Sequence, residues 1–220
     1  MGSDRENQTM SAAESFASAR SIGHDAWIGA ARMSFAEGKE IYAQDEDADL
    51  IYRVIRGAVR TSHLLADGRR QIGDFYYEGE VFGLELSSAH RFSAEALTSC
   101  EIAMIRRTSP ASGRDVQVDR LMWAAAGSEL ARAQSHMLLL GRTTAAEKVA
   151  RFLLDVQARC SGDAAILPMS RQDMADYLGL TIETVSRMLS RFQSEGLIRF
   201  AGARRFNVVR PTSLAASAAF

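Results

Sequence analysis

Residues 170–192, SRQDMADYLGLTIETVSRMLSRF, leave the chain few folding options. The segment reads as two short helices joined by a tight turn at Gly179. In the second, Val185, Met188, Leu189 and Phe192 recur at i, i+3, i+4 and i+7 and make one apolar stripe. Glu183, Ser186, Arg187 and Ser190 repeat that spacing on another side. A short helix with a buried stripe and a compact Glu/Ser/Arg face carries the chemistry needed in a DNA major groove. The planar fork of Arg187 matches the O6 and N7 acceptors of guanine. Glu183, one turn earlier, can accept from an exocyclic amine of cytosine or adenine. Ser186 is small enough for close approach and offers a hydroxyl to a base edge. The competing reading of Glu183 and Arg187 is a surface i,i+4 ion pair.

The flanking residues extend this pattern. Ser170 followed by Asp173 is a helix-start signature, and Thr181 caps the second helix. Gly196 ends that helix. Leu197–Ala201 and Arg204–Arg210 then form a hairpin around Gly202, which predicts a winged helix-turn-helix. Thr143–Arg159 is an amphipathic helix with Val149, Phe152, Leu153 and Val156 facing inward, and Ile166–Met169 is a short strand closed by Pro168. Ser170 and Thr181, at helix starts where backbone N–H groups attract phosphate, are candidate backbone contacts. Gln172, Thr184, Arg191 and Arg204 are the others, each with a plain alternative as a capping or solvated residue.

Upstream, residues from about Arg32 to Arg107 read as β structure. Ile51–Arg60 is strand-like with a turn or bulge at Gly57, and Thr61–Leu65 is a second strand. Asp67-Gly68 is a hairpin signal before Arg69–Phe75. Cys100–Ile105 is another strand. Many short strands with glycine-bearing turns predict a β-barrel or jelly roll. The segment 113–141 then reads as one long helix. Its apolar residues Leu121, Met122, Ala125, Leu130, Ala133, Met137 and Leu140 fit one apolar side, for which a parallel homodimer seam is the natural partner; the plainer reading is an amphipathic helix packed on its own β domain. The expected organisation is α+β: a tail over 1–20, a β domain over 21–112, a dimerisation helix over 113–141, a winged helix-turn-helix over 142–212 and a C-terminal tail over 213–220.

Charge agrees with this division. Residues 142–211 hold 11 Lys/Arg against 7 Asp/Glu, although the 220-residue chain has a net charge of −1. The basic balance therefore sits on the helix-turn-helix segment. No apolar run reaches membrane-span length, and residues 1–20 lack the apolar core of a secretory signal. Two distant cysteines, Cys100 and Cys160, provide no disulfide framework and suit the cytoplasm.

The order of β domain, long helix and winged helix-turn-helix resembles the Crp–Fnr superfamily of bacterial transcription regulators. The most specific stretch is LGLTIETVSRMLSRFQSEGLI, residues 178–198. There the E-x-x-S-R pattern of Glu183, Ser186 and Arg187 is similar to the recognition helix of the Fnr and FixK branches. DGRRQIGDFYYEGEVFGLE and HRFSAEAL also resemble the FixK-type branch. The resemblance implies a transcription activator that binds double-stranded DNA as a homodimer, on inverted TTGA…TCAA half-sites. It also implies contact with RNA polymerase through the 160–165 loop, and control without a small-molecule ligand.

Other family inputs find little support in the residues. An iron–sulfur cluster needs about four thiolates, and the chain has two cysteines. For a cyclic nucleotide, Gly79-Glu80 loosely matches the expected turn, but His90 and Arg91 stand where an Arg-Ser pair belongs. For haem, His63, His90 and His136 are candidate ligands without a telling motif. A ligand-gated regulator is the alternative reading. Cys160 is a candidate redox switch, with an inert thiol as the plainer reading. A cupin-like metal enzyme would need clustered histidines. His24, His63, His90 and His136 are scattered, and no catalytic motif or metal-ligand set is present, so neither enzyme activity nor a cofactor is expected.

Overall fold

The structure, a computed structural model, describes residues 27–107, 116–142, 144–160, 165–202 and 204–217. The expected tail over 1–20 and the 161–164 part of the expected polymerase-contacting loop lie outside these residues. Two compact units are present. Among the described residues, one contains 27–61, 75–107 and 116–133; the other contains 62–74 and those from 134 onward.

The glycine-punctuated strands of residues 27–107 lie in two four-stranded sheets. Ala31–Phe35 (β1), Leu50–Arg56 (β3), Val81–Phe82 (β6) and Cys100–Arg106 (β8) run in the order β1-β8-β3-β6. Glu40–Tyr42 (β2), Ala58–Leu64 (β4), Arg70–Tyr77 (β5) and Ser93–Ala96 (β7) run in the order β2-β7-β4-β5. This is the jelly-roll form of the expected β domain: two sheets around an apolar core. The predicted strand over 51–60 is two strands, β3 and β4, joined at Gly57. Gly57 has φ +97°, and a Cβ there would stand 2.7 Å from Cys100 Sγ and from the Ser99 carbonyl oxygen. Only glycine allows the chain to turn at that point. Inward residues from both sheets, among them Tyr42, Tyr52, Val54, Val59, Tyr76, Phe82 and Ile102, make the core.

Val116–Arg142 (α1) follows as one 27-residue helix. Here the expected single stripe divides between two faces. Val118 and Leu121 are buried in a cluster with Trp27, Ile51 and Ala103; Met122 packs against it, and Ala125 is also buried. Leu130 and Met137 are instead 60% and 67% exposed, and Trp123, absent from the expected stripe, is 81% exposed. Val116, Trp123, Leu130 and Met137 recur every seven residues on the uncovered side. The two faces interleave in sequence, so a list of apolar residues merges them; only the seven-residue spacing separates them.

In the second unit, Ala145–Arg159 (α2) starts at a Thr144–Glu147 capping box and buries Val149, Phe152, Leu153 and Val156. Arg171–Leu178 (α3) and Ile182–Ser194 (α4) form the helix-turn-helix. The short strand Ala165–Ile166 (β9) pairs with Arg205–Val208 (β11), which pairs with Ile198–Ala201 (β10). β9 is shorter than the expected 166–169 strand. Leu167 still donates to the Arg204 carbonyl at 2.7 Å, but Pro168 has no N–H with which to continue the ladder. A short helix, Pro211–Ala216 (α5), takes up part of the segment expected as a tail, with Pro211 in its first turn and Leu214 fully buried.

Candidate nucleic-acid interface

α3 begins with a reciprocal cap. Ser170 Oγ accepts from the Asp173 N–H at 3.0 Å, while Asp173 Oδ2 accepts from the Ser170 N–H at 3.0 Å and its hydroxyl at 2.8 Å. The helix ends at Gly179, whose φ of +61° and ψ of 44° reverse the chain into the next helix. Thr181 then caps α4, its hydroxyl oxygen accepting from the Thr184 N–H at 3.3 Å. These local devices set the turn between the two helices.

Val185, Leu189 and Phe192 are buried, and Met188 is half-buried. Burying that stripe turns the opposite face of α4 outward: Glu183, Arg187 and Ser190 are exposed and Ser186 half-buried. The predicted trio therefore shares one accessible face. The Glu183 carboxyl is held below its ordinary carboxylate range by its own backbone N–H and by the Thr181 hydroxyl, with a smaller contribution from Arg187. It is an ionised acceptor at neutral pH. The Arg187 guanidinium donates to Thr184 Oγ1 at 3.3 Å, and among the described residues it makes no ion pair with Glu183.

The phosphate candidates are spread around this face. Gln172 is exposed and donates to Asp176 Oδ1 at 2.7 Å; Arg191 is exposed and pairs with Glu195 at 2.7 Å. Thr181 and Thr184 bring their hydroxyls to 3.2 Å, and Arg204 is exposed at the wing. Two residues passed over in the sequence join the face. Arg171 Nη1 donates to Ser186 Oγ at 3.2 Å, linking the first turn of α3 to the middle of α4. Ile182 is exposed in the first turn of α4, beside Glu183. A large apolar residue left in solvent at that position was the available signal.

The other candidate sites have different surroundings. His90 is buried, stacked on Tyr42 at 3.7 Å between ring centroids, and among the described residues neither ring nitrogen has a hydrogen-bond partner. Burial holds its pKa below the ordinary histidine value, against the opposing pull of Glu85 and Glu46. His136 donates from Nε2 to the Tyr177 carbonyl at 2.7 Å and stacks on the Tyr177 ring. Cys160 is half-buried at the C-terminal end of α2, its Sγ 4.0 Å from the Ile166 carbonyl. Among the described residues no three His, Cys, Asp or Glu side chains gather as a metal site, and no helix is long and apolar enough to cross a membrane.

Residues 147–217 match the Crp-like helix-turn-helix domain, and residues 32–110 match the cyclic nucleotide-binding domain. The chain is 45% identical over 183 residues to the nitrogen fixation regulation protein FixK of Rhizobium meliloti, covering 82% of this chain and 84% of that protein. It is 39% identical over 176 residues to the transcriptional activatory protein AadR of Rhodopseudomonas palustris, covering 77% and 74%. Among solved structures, FixK2 from Bradyrhizobium japonicum superposes with a TM-score of 0.81 at 47% identity, covering 87% of this chain and 98% of that one. The chain therefore belongs to the Crp/Fnr family of helix-turn-helix transcription regulators, in its FixK-type branch.

Proposed function

We propose that this regulator is a cytoplasmic, homodimeric transcription activator that reads a TTGA…TCAA palindrome without a small-molecule ligand. The reading rests chiefly on one observation: Glu183, Ser186 and Arg187 share the accessible face of a helix whose opposite stripe is buried. Arg187 pairs with the guanine of TTGA, Glu183 accepts from an exocyclic amine across the duplex, and Ser186 approaches a neighbouring base edge. Ile182 adds an apolar surface for a thymine methyl group. Ser170, Gln172, Thr181, Thr184, Arg191 and Arg204, with Arg171, supply backbone contacts that set the register. The AadR relative's description as an activatory protein supports activation, which requires contact with RNA polymerase.

Two further observations support the finer points. The uncovered face of α1 presents Val116, Trp123, Leu130 and Met137 at heptad spacing, suited to a second copy of the same helix. Inside the β unit, the rings of Tyr42, Tyr52, Tyr76, Phe82 and His90 pack with centroids 3.7–6.2 Å apart, which supports control without a ligand there. The test uses purified, nucleotide-free, metal-free protein titrated against a TTGA…TCAA duplex and a scrambled duplex. Strong preference for the palindrome, unchanged by cyclic nucleotides, is the expected result. Preference that appears only on adding a cyclic nucleotide or haem would establish the ligand-gated alternative.

A further inference from the structure

α3 has only eight residues, too few to hold its position by its own hydrogen bonds. Neighbouring elements hold both of its ends. At its C-terminal end, His136 of α1 donates to the Tyr177 carbonyl at 2.7 Å and Lys148 of α2 donates to the Leu178 carbonyl at 3.2 Å. These satisfy carbonyls that the helix leaves open. At its N-terminal end, Asp173 is nearly buried. One of its oxygens closes the Ser170 cap, and the other receives Arg70 Nη2 at 2.5 Å. The same nitrogen lies 3.2 Å from Asp176 Oδ2. Arg70 stands 103 residues from Asp173 in sequence, at the start of β5. It belongs to the Ser62–Asp74 hairpin segment, which is part of the same compact unit as the helix-turn-helix. A second residue of that segment, Asp74, lies 3.7 Å from Arg159 of α2.

We infer that Arg70 is a positioning residue for DNA recognition: by bridging Asp173 and Asp176 it sets the N-terminal turn of α3, and through Arg171 the Ser186 hydroxyl on the reading face. The inference rests on the DNA-binding reading above. The route is continuous. Arg70 grips Asp173 in the first turn of α3; that turn carries Arg171; and Arg171 donates to Ser186 Oγ at 3.2 Å. Two carboxylates surround the Arg70 guanidinium, so a phosphate there would be repelled by both. Arg70 therefore acts through α3 rather than on the duplex. The bridge also needs reach. Both contacts come from Nη2, one bond beyond the point where a lysine chain ends, so a lysine brings the charge but falls short of the two carboxylates.

The test compares the full-length wild type with Arg70→Gln and Arg70→Lys, titrated against palindrome and scrambled duplexes at several salt concentrations. Amide exchange over residues 171–178 is followed in parallel. Arg70→Gln is expected to bind the palindrome roughly tenfold more weakly, the size of one charge-assisted contact. Its affinity for scrambled DNA falls less than its affinity for the palindrome, and the α3 amides exchange faster. Arg70→Lys falls between the two. Wild-type palindrome affinity in Arg70→Gln would overturn the inference. So would equal losses on both duplexes with a salt slope flatter by about 0.9, the mark of a direct phosphate contact. If Arg70→Gln does not fold, Arg70→Lys decides: weakened palindrome binding supports the bridge, and wild-type binding overturns it. Failure of the DNA-binding reading is separate, because it would appear as absent discrimination by the wild type itself.

Discussion

Among the described residues the exposed Arg187 guanidinium is tethered by the Thr184 hydroxyl alone, so it can swing to a base without breaking an ion pair with them. Arg187→Ala is expected to lose about 1–3 kcal/mol on the palindrome and most of its discrimination at the guanine position. Competition titrations against duplexes varied at that base measure this; equal losses at every sequence would reduce Arg187 to a phosphate contact. His90 gives a different prediction at the same scale. Its imidazole is buried against Tyr42 with neither nitrogen partnered among the described residues, and Glu85 and Glu46 only partly offset the cost of charging it. The folded pKa is therefore depressed. Its contribution is fully present above the unfolded value of about 6.5, and below that value stability falls by at most about 1.4 kcal/mol per pH unit until the pH passes the folded pKa. His90→Phe keeps the stacking and removes the titration. Thermal melts from pH 7.5 to 5 should decline less for that variant than for wild type. Parallel curves would mean that other groups carry the acid sensitivity.

Single elements here depend on a few geometric necessities. The β3–β4 connection is the clearest. A methyl at residue 57 would meet Cys100 Sγ and the Ser99 carbonyl, and the backbone there is left-handed. Gly57→Ala adds conformational strain to steric overlap, for a loss of roughly 2–4 kcal/mol in chemical denaturation. The Gly179 turn is left-handed as well, but a methyl there meets only Leu140 Cδ2 at 3.5 Å. Gly179→Ala should cost no more than about 1–2 kcal/mol. Similar losses at the two sites would show that backbone conformation rather than the neighbouring atoms sets the cost. Both positions were visible in the sequence as turn glycines. Their unequal severity was not, because it depends on Cys100 and Ser99 arriving from a strand more than forty residues further along.

At the scale of the whole chain, local chemistry was legible and long-range partnership was not. The Ser170–Asp173 and Thr181 caps, the Gly179 turn and the buried stripe of α4 are all encoded within a few residues of where they act, and each matches its expected place. Arg70 carries no such local signal: its meaning lies in an α3 carboxylate reached only after the chain has folded. α1 lies between these cases. Its hydrophobicity predicted a seam, but only packing assigns Leu121 and Ala125 to the interior and leaves Trp123, Leu130 and Met137 uncovered. That assignment makes the dimer testable without harming the fold. Leu130 is exposed in the single chain, so Leu130→Glu removes little packing from the protomer. In a two-fold helical pair it would bring two carboxylates close together across the seam. The expected outcome is a folded monomer by light scattering, with unchanged far-ultraviolet circular dichroism. Binding to a single TTGA half-site should match wild type, while palindrome affinity should fall roughly a hundredfold as the second half-site ceases to be intramolecular. A dimer that persists with both affinities intact would place the subunit contact elsewhere than on α1. A variant that loses helix content as well as mass would mean that Leu130 supports the protomer itself.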